Sequence, residues 1–334
     1  MQSKTQYLNL YRECRNLIAS HSSEVMNALR DEAYVHLEQS GFPTKRVEDY
    51  KYTDVETLFA PDYGVNINRL DIPVNPYDVF KCDVPNMSTS LYFVVNDTFY
   101  NRALPKATLP EGVILGSLKE LSAQYPELVA RYYGQLARTE DDAITALNTM
   151  LAQDGLFLYV PKGVVVEKPI QLVNILRADV NFMVNRRVLI VVEDNAQVRI
   201  LACDHTTDEV DFLATQVVEA FVGCGASLEL YELEESTPRT TRLSNLYVQQ
   251  ESDSRVHIND ITLVGGVTRN TTRVALSGRG AHIDLCGMAI ADKQQHVDNH
   301  TFAAPKTPPF FQHRGQFGVF AVNGHVALAM EGFV

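Results

Sequence analysis

The chain has no CxxC pair and no even cysteine framework: Cys14, Cys82, Cys203, Cys224 and Cys286 are scattered along its 334 residues. Disulfide stapling is thereby disfavoured and a reducing compartment fits. No stretch approaches the roughly 18 uninterrupted apolar residues of a membrane span, and the first residues carry no apolar signal core. The expectation is a soluble, cytoplasmic protein with no membrane role. Basic residues are in deficit, 29 Lys and Arg against 41 Asp and Glu, for a net charge of -12. That excludes a general nucleic-acid or anionic-membrane binder, which needs clustered cations. There is no Walker A phosphate loop, so any ATP chemistry must come from another protein. A hexapeptide aliphatic repeat is also absent, which removes the left-handed β-helix.

What the second half does contain is a recurring phrase: a turn residue, a small residue, then apolar side chains at every second position. It reads Asn195-Ala196-Gln197-Val198-Arg199-Ile200, Gly225-Ala226-Ser227-Leu228-Glu229-Leu230, Asp253-Ser254-Arg255-Val256-His257-Ile258 and Gly280-Ala281-His282-Ile283-Asp284-Leu285. The small residues lie 30, 28 and 27 positions apart. Period-2 alternation is that of a strand with one buried face. A unit of this length cannot bury that face alone, so successive units must stack as coils of two or three strands. The spacing predicts a mainly β fold, a right-handed parallel β-helix preceded by an α-helical and mixed N-terminal region. Gly223-Cys224-Gly225 reads as a tight turn between coils. With 46% hydrophobic residues the chain can fill such a core.

Before the coils, Leu8, Tyr11, Leu17, Ile18, Val25, Met26 and Leu29 recur at helical spacing, and Gly41 with Pro43 ends the pattern. Gly41 to Asp54 is dense in charge and rings and reads as a surface connection pinned by tyrosines. Leu91–Val95 and Val113–Leu115 read as strands, Lys119–Leu136 and Asp141–Leu151 as helices. The division is 1–60 helical, 61–150 mixed α/β, 151–302 β-helix core and 303–334 an atypical tail.

Three phrases in order then carry a resemblance. Gly41-Phe42-Pro43-Thr44 with Tyr50-Lys51-Tyr52-Thr53-Asp54 is one. Ala146-Leu147-Asn148-Thr149, Asp154-Gly155, Val160-Pro161-Lys162-Gly163-Val164 and Pro169-Ile170 make the second, and His296-Val297-Asp298-Asn299-His300-Thr301 the third. Together they resemble the SufB/SufD family of iron-sulfur cluster assembly proteins, most like its SufD branch, over about residues 1–302. The resemblance implies a non-enzymatic scaffold of the SUF system, in which a SufD-type subunit pairs with a SufB-type paralogue through the ends of their β-helices. Each also binds a SufC-type ATPase through a C-terminal helical region, and nascent cluster is built on the assembly. It implies no stably bound cofactor, with iron-sulfur cluster or iron met transiently in the complex. After Thr301 the text departs from the family: no cysteine follows Cys286, and the expected His, Pro and Cys phrase and helical tail are missing. The expectation is a reading-frame shift or an alternative end, and a homodimer when the chain is alone.

From the residues themselves, His296, Asp298 and His300 alternate, so on a strand they share a face, and imidazole plus carboxylate can hold a divalent metal. Cys203 and His205 would likewise share a face as a soft-metal pair, although buried cysteine also serves as a small hydrophobe. A β-helix carbohydrate-active enzyme is the rival reading, since its chemistry gathers carboxylates in a groove. Glu229, Glu232, Glu234 and Glu235 cluster, but the expectation places them on a solvated face. A purely structural homo-oligomeric solenoid is the third reading.

Overall fold

The computed structural model describes residues 3–80, 88–102, 109–305, 312–321 and 325–332. Helical spacing at the N-terminus becomes α1 (Ser3–Ser20), α2 (Glu24–Asn27) and α3 (Arg30–Ser40). Gly41 closes α3, its amide donating to the Leu37 carbonyl at 3.0 Å. A 3-10 turn at Glu48–Tyr50 and the short helices α4 (Val55–Leu58) and α5 (Pro76–Val79) follow. Phe42 stacks on Phe59 with centroids 4.3 Å apart, and Tyr7 meets both rings edge-on. The segment from Gly41 to Asp54 is therefore pinned by Phe42 and Tyr50, both buried, while Tyr52 stays half exposed.

The predicted strands appear as β1 (Ser90–Val95) and β3 (Ile114–Ser117), with β2 (Thr98–Phe99) between them. The single helix expected over Lys119–Leu136 is two short ones, α6 (Leu118–Gln124) and α7 (Pro126–Ala130). Pro126 has no N–H with which to continue α6 and starts the next helix instead. Helix α8 (Ala143–Leu151) is capped by Asp142, whose Oδ1 accepts from the Thr145 amide at 2.8 Å, and is buried at every position.

From residue 155 the chain is a two-sheet parallel solenoid. One sheet takes β5 (Ile170–Leu176), β7 (Gln197–Thr206), β9 (Ser227–Glu235), β11 (Arg255–Val264), β13 (His282–Ala291) and β15 (Gln312–Ala321). The other takes β4 (Gly155–Val160), β6 (Phe182–Val192), β8 (Phe212–Val222), β10 (Thr240–Gln250), β12 (Val267–Leu276), β14 (His296–Pro305) and β16 (His325–Gly332). Each coil gives one strand to each sheet. The solenoid begins earlier than composition suggests. Strand β1, from the mixed segment, pairs in parallel with β5 from Ser90↔Ile170 to Val95↔Ile175. Strands β2 and β3 close that end by antiparallel pairing. Beyond residue 302, β15 and β16 continue the stack in register with β13 and β14, within the segment that the sequence sets apart as a tail.

The recurring phrase is the coil. Val198↔Leu228↔Val256↔Ile283 and Ile200↔Leu230↔Ile258↔Leu285 stand in register as aliphatic ladders, all but fully buried between the sheets. Stacking of this kind removes on the order of 1.5–3 kcal/mol of apolar exposure per side chain. Ala196, Ala226, Ser254 and Ala281 are small because they are buried at the corner, at 0–1% exposure. The residues before them, Asn195, Gly225, Asp253 and Gly280, all have φ between 56° and 72°. Glycine alternates with Asn or Asp there for a reason beyond φ. A Cβ on Gly225 would lie 2.6 Å from the Asn195 Oδ1, and one on Gly280 would lie 2.2 Å from the Asp253 Oδ1.

Candidate functional site

One face of the β6-to-β14 sheet points into the solenoid and the other is clad by the N-terminal layer. Side chains at alternate positions on that outer face form a polar seam with it. On β14 the outward residues are His296, Asp298 and His300, while Val297, Asn299 and Thr301 face inward in register with Thr268, Asn270 and Thr272. Buried Asp298 accepts from the Thr53 hydroxyl at 2.6 Å and pairs with Arg269. His296 Nε2 lies 3.3 Å from the same hydroxyl. The Arg269 guanidinium donates to the Asp49 carbonyl at 2.6 Å and stacks over the Tyr50 ring at 4.1 Å. Two phrases whose contacting residues are 243 and 245 positions apart in the sequence therefore meet in space. An ion between the three β14 residues would compete with Arg269 and Thr53 for the Asp298 carboxylate.

The seam continues along the sheet. Tyr50 donates to Asp142, which also accepts from Asn245 Nδ2 at 2.7 Å. Burial, then the Asp142 charge, pushes the Tyr50 phenol well above its ordinary range against the pull of Arg269. Thr145 and Tyr247 share a hydrogen bond at 2.8 Å. Asn148 donates to the Arg186 carbonyl at 2.9 Å and to the Thr215 hydroxyl at 3.0 Å. Fully buried Glu219 pairs with Arg187 at 2.7 Å and accepts from the amides of Gly134, Leu136 and Ala137. That turn explains why the helix predicted to Leu136 stops short.

Inside the solenoid the ladders change character along their length. The expectation that Glu232 and Glu234 lie on a solvated face is corrected: both point inward, at 8% and 2% exposure, because they keep the parity of Leu228 and Leu230. Glu229 and Glu235, of the opposite parity, point outward. Arg186 pairs with Asp204, and Arg242 reaches Asp204 at 3.1 Å and Glu232 at 3.2 Å. Arg242 also donates to Asn270 at 2.7 Å, and Asn270 donates to Asn299 at 3.0 Å. Burial opposes the charge on Asp204, but Arg186 and Arg242 hold its carboxyl below the ordinary range. Asp260 stands directly beside Glu232 in the ladder. Burial, then that neighbouring charge, pushes Asp260 well above the carboxylate range. Burial lifts Glu234 to about 7, against Arg242 and the Thr268 hydroxyl, which donates to it at 2.8 Å. Asp204, Asp260, Arg186 and Arg242 escaped the sequence reading. Their signal was parity, since each sits on the inward register of an alternating strand.

Cys203 and His205 do share the outer side of β7. His205 meets the Phe80 ring edge-on at 5.6 Å and lies 3.9 Å from Glu235. Burial lowers the His205 pKa, against the pull of Glu235. Among the described residues no disulfide joins Cys14, Cys203, Cys224 and Cys286; Cys224 sits in the predicted turn, and Cys82 lies outside the described residues. Further along the same outer face, Glu229, His257 and Asp284 occupy one register row of three adjacent strands beside Tyr231, Arg255 and His282.

Fold and seam together define a β-solenoid protein whose N-terminal layer is keyed along its coils. The chain belongs to the SufBD family: the SufBD protein N-terminal region matches residues 1–172, and the SUF system FeS cluster assembly SufBD core domain matches residues 175–308. It is 24% identical over 276 residues to an iron-sulfur cluster assembly SufBD family protein of Synechocystis, covering 80% of this chain and 60% of that one. It is 27% identical over 214 residues to the iron-sulfur cluster assembly protein SufD of Bacillus subtilis, covering 59% of this chain and 49% of the relative. To SufB of the same bacterium it is 24% identical over 189 residues, covering 56% and 40%. The chain thus spans about 60% or less of the length of these relatives. Among the described residues, no helix is long and apolar enough to cross a membrane.

Proposed function

We propose that this chain is a SufD-type scaffold subunit of iron-sulfur cluster assembly, pairing with a SufB-type paralogue and a SufC-type ATPase in the cytoplasm. It has no catalytic residue of its own and holds no catalytic cofactor stably; the cluster or iron under assembly is cargo met in the complex. The observation that carries this is where the ionisable groups sit. The buried acids and their arginines fill the closed interior or lock the N-terminal layer, which leaves rigid strand faces as the working surface. A glycan-active reading needs a carboxylate pair open to a sugar. The adjacent pair Glu232 and Asp260 faces inward instead.

The test is co-expression with SufB-type and SufC-type proteins from the same organism, capture through this chain, and light scattering on the product. A complex containing the SufB-type protein in fixed stoichiometry is the expected result. A chain that returns alone, or only as its own oligomer, overturns the reading and favours the structural homo-oligomer.

A further inference from the structure

Helix α3 carries Glu32 and His36 four residues apart, a spacing that places both side chains on one face. Glu140 comes to the same place from the turn before α8. One ligand atom from each of Glu32, His36 and Glu140 lies within 4.8 Å of the other two. Among the described residues this is the one group of histidine, cysteine and acids whose donor atoms converge so closely. We propose that these three side chains form a binding site for a divalent transition-metal ion, with Zn2+ or Fe2+ as its class.

The chemistry of the donor set points to that class. One imidazole nitrogen and two carboxylates suit borderline cations, whereas Ca2+ and Mg2+ favour all-oxygen shells. The ring is already oriented: His36 Nδ1 lies 2.7 Å from the Thr139 hydroxyl, the kind of outer partner that fixes a ligating histidine. Thr139 is itself buried. Both sides of the site are held independently of any ion. α3 is packed through Ala33 and Leu37, and the turn is tied down by the Ala137 amide on Glu219 at one end and by Asp142 on Asn245 at the other. Glu32 and Glu140 are exposed and His36 half-buried, so three protein ligands would leave room for water to complete the shell. Glu140 presents its carboxylate from an exposed position on the turn. Its current partner, Arg138 at 2.6 Å, is exposed and free to swing away when a cation arrives. A bound ion would staple α3 to the turn that anchors the layer on β8.

The experiment uses the full chain, stripped with a chelator and titrated with Zn2+ and separately with Mg2+ by calorimetry, with thermal melts at each ratio. Expected are one Zn2+ site, a melting temperature that rises with Zn2+ but not Mg2+, and at least tenfold weaker binding in His36→Ala, Glu32→Gln and Glu140→Gln. His282→Ala, on the far outer face, should bind as the parent does. The glutamate variants alter exposed positions, so the test survives if His36→Ala fails to fold. Absence of a Zn2+ isotherm, or binding that is unchanged in both glutamine variants, overturns the proposal.

Discussion

Glu234 shows how a single buried acid couples this fold to pH. Its carboxyl oxygens accept from Ser236 at 3.0 Å and Thr268 at 2.8 Å inside the solenoid, and burial raises its pKa to about 7 from an ordinary value of 4.5. Between those two pH values the folded chain holds a proton that the unfolded chain has lost. The stabilisation is therefore full below about pH 4.5 and is lost as pH rises through about 7, with an upper size of about 3 kcal/mol. Glu234→Gln keeps the shape and removes the titration. The variant should show a flatter urea midpoint between pH 5 and 8 than the parent, and should equal or exceed it at pH 8. Parallel profiles would mean that Glu234 does not titrate in this range.

At the level of elements, the strands and their inward faces were legible because period-2 alternation and coil spacing are local properties of the text. The aliphatic ladders and small corner residues follow from them directly. The polar interior was not legible as such, because four glutamates between Glu229 and Glu235 look solvated until a partner sheet is placed over them. The cross-ties were invisible for another reason: Thr53 and Asp298 are separated by 245 positions, and nothing local pairs them. The phrase Asp154-Gly155 shows what a family signature can mean physically. Asp154 accepts from the Ser117 hydroxyl at 2.7 Å and the Lys119 amide at 3.1 Å, which fixes the start of α6 against β4. Gly155 has φ +156°, and a Cβ there would sit 1.8 Å from the Arg187 carbonyl oxygen, in the neighbouring strand. Backbone cannot yield by that much without opening β4 from β6. Gly155→Ala should lower the melting temperature by well over the effect of an ordinary surface alanine, with a loss on the order of 3 kcal/mol or more. A variant that melts with the parent would show that the first coil tolerates separation of these strands.

For the whole molecule, the question is why a stack of coils should behave as one body. Solenoids are quasi-one-dimensional, each repeat touching only its neighbours, so they can fray from an end. Here the N-terminal layer spans the repeats. Asn148 reaches β6 and β8, Glu219 on β8 holds the 134–137 turn, Asp142 and Thr145 hold Asn245 and Tyr247 on β10, and the 49–53 segment holds Arg269 on β12 and Asp298 on β14. Five successive strands are thus tied to one layer, and at the last tie, beside the Thr53 hydroxyl, the Asp298 carboxylate is paired with the Arg269 guanidinium. Removing it leaves Asp298 buried without its cation, a change that costs about 3–5 kcal/mol in comparable pairs. If the layer is the clasp, Arg269→Met should do more than lower global stability. Hydrogen exchange followed by mass spectrometry should show β12, β14 and the 41–54 segment losing protection together, while β6 and β8, still held by Asn148 and Glu219, keep theirs. Thr53→Val, which removes the hydroxyl shared by Asp298 and His296 and with it a bond to a charged group worth about 1.5–3 kcal/mol, should produce the same pattern at smaller amplitude. Uniform loss of protection along all coils would instead mean that the stack is cooperative through its own ladders and needs no clasp.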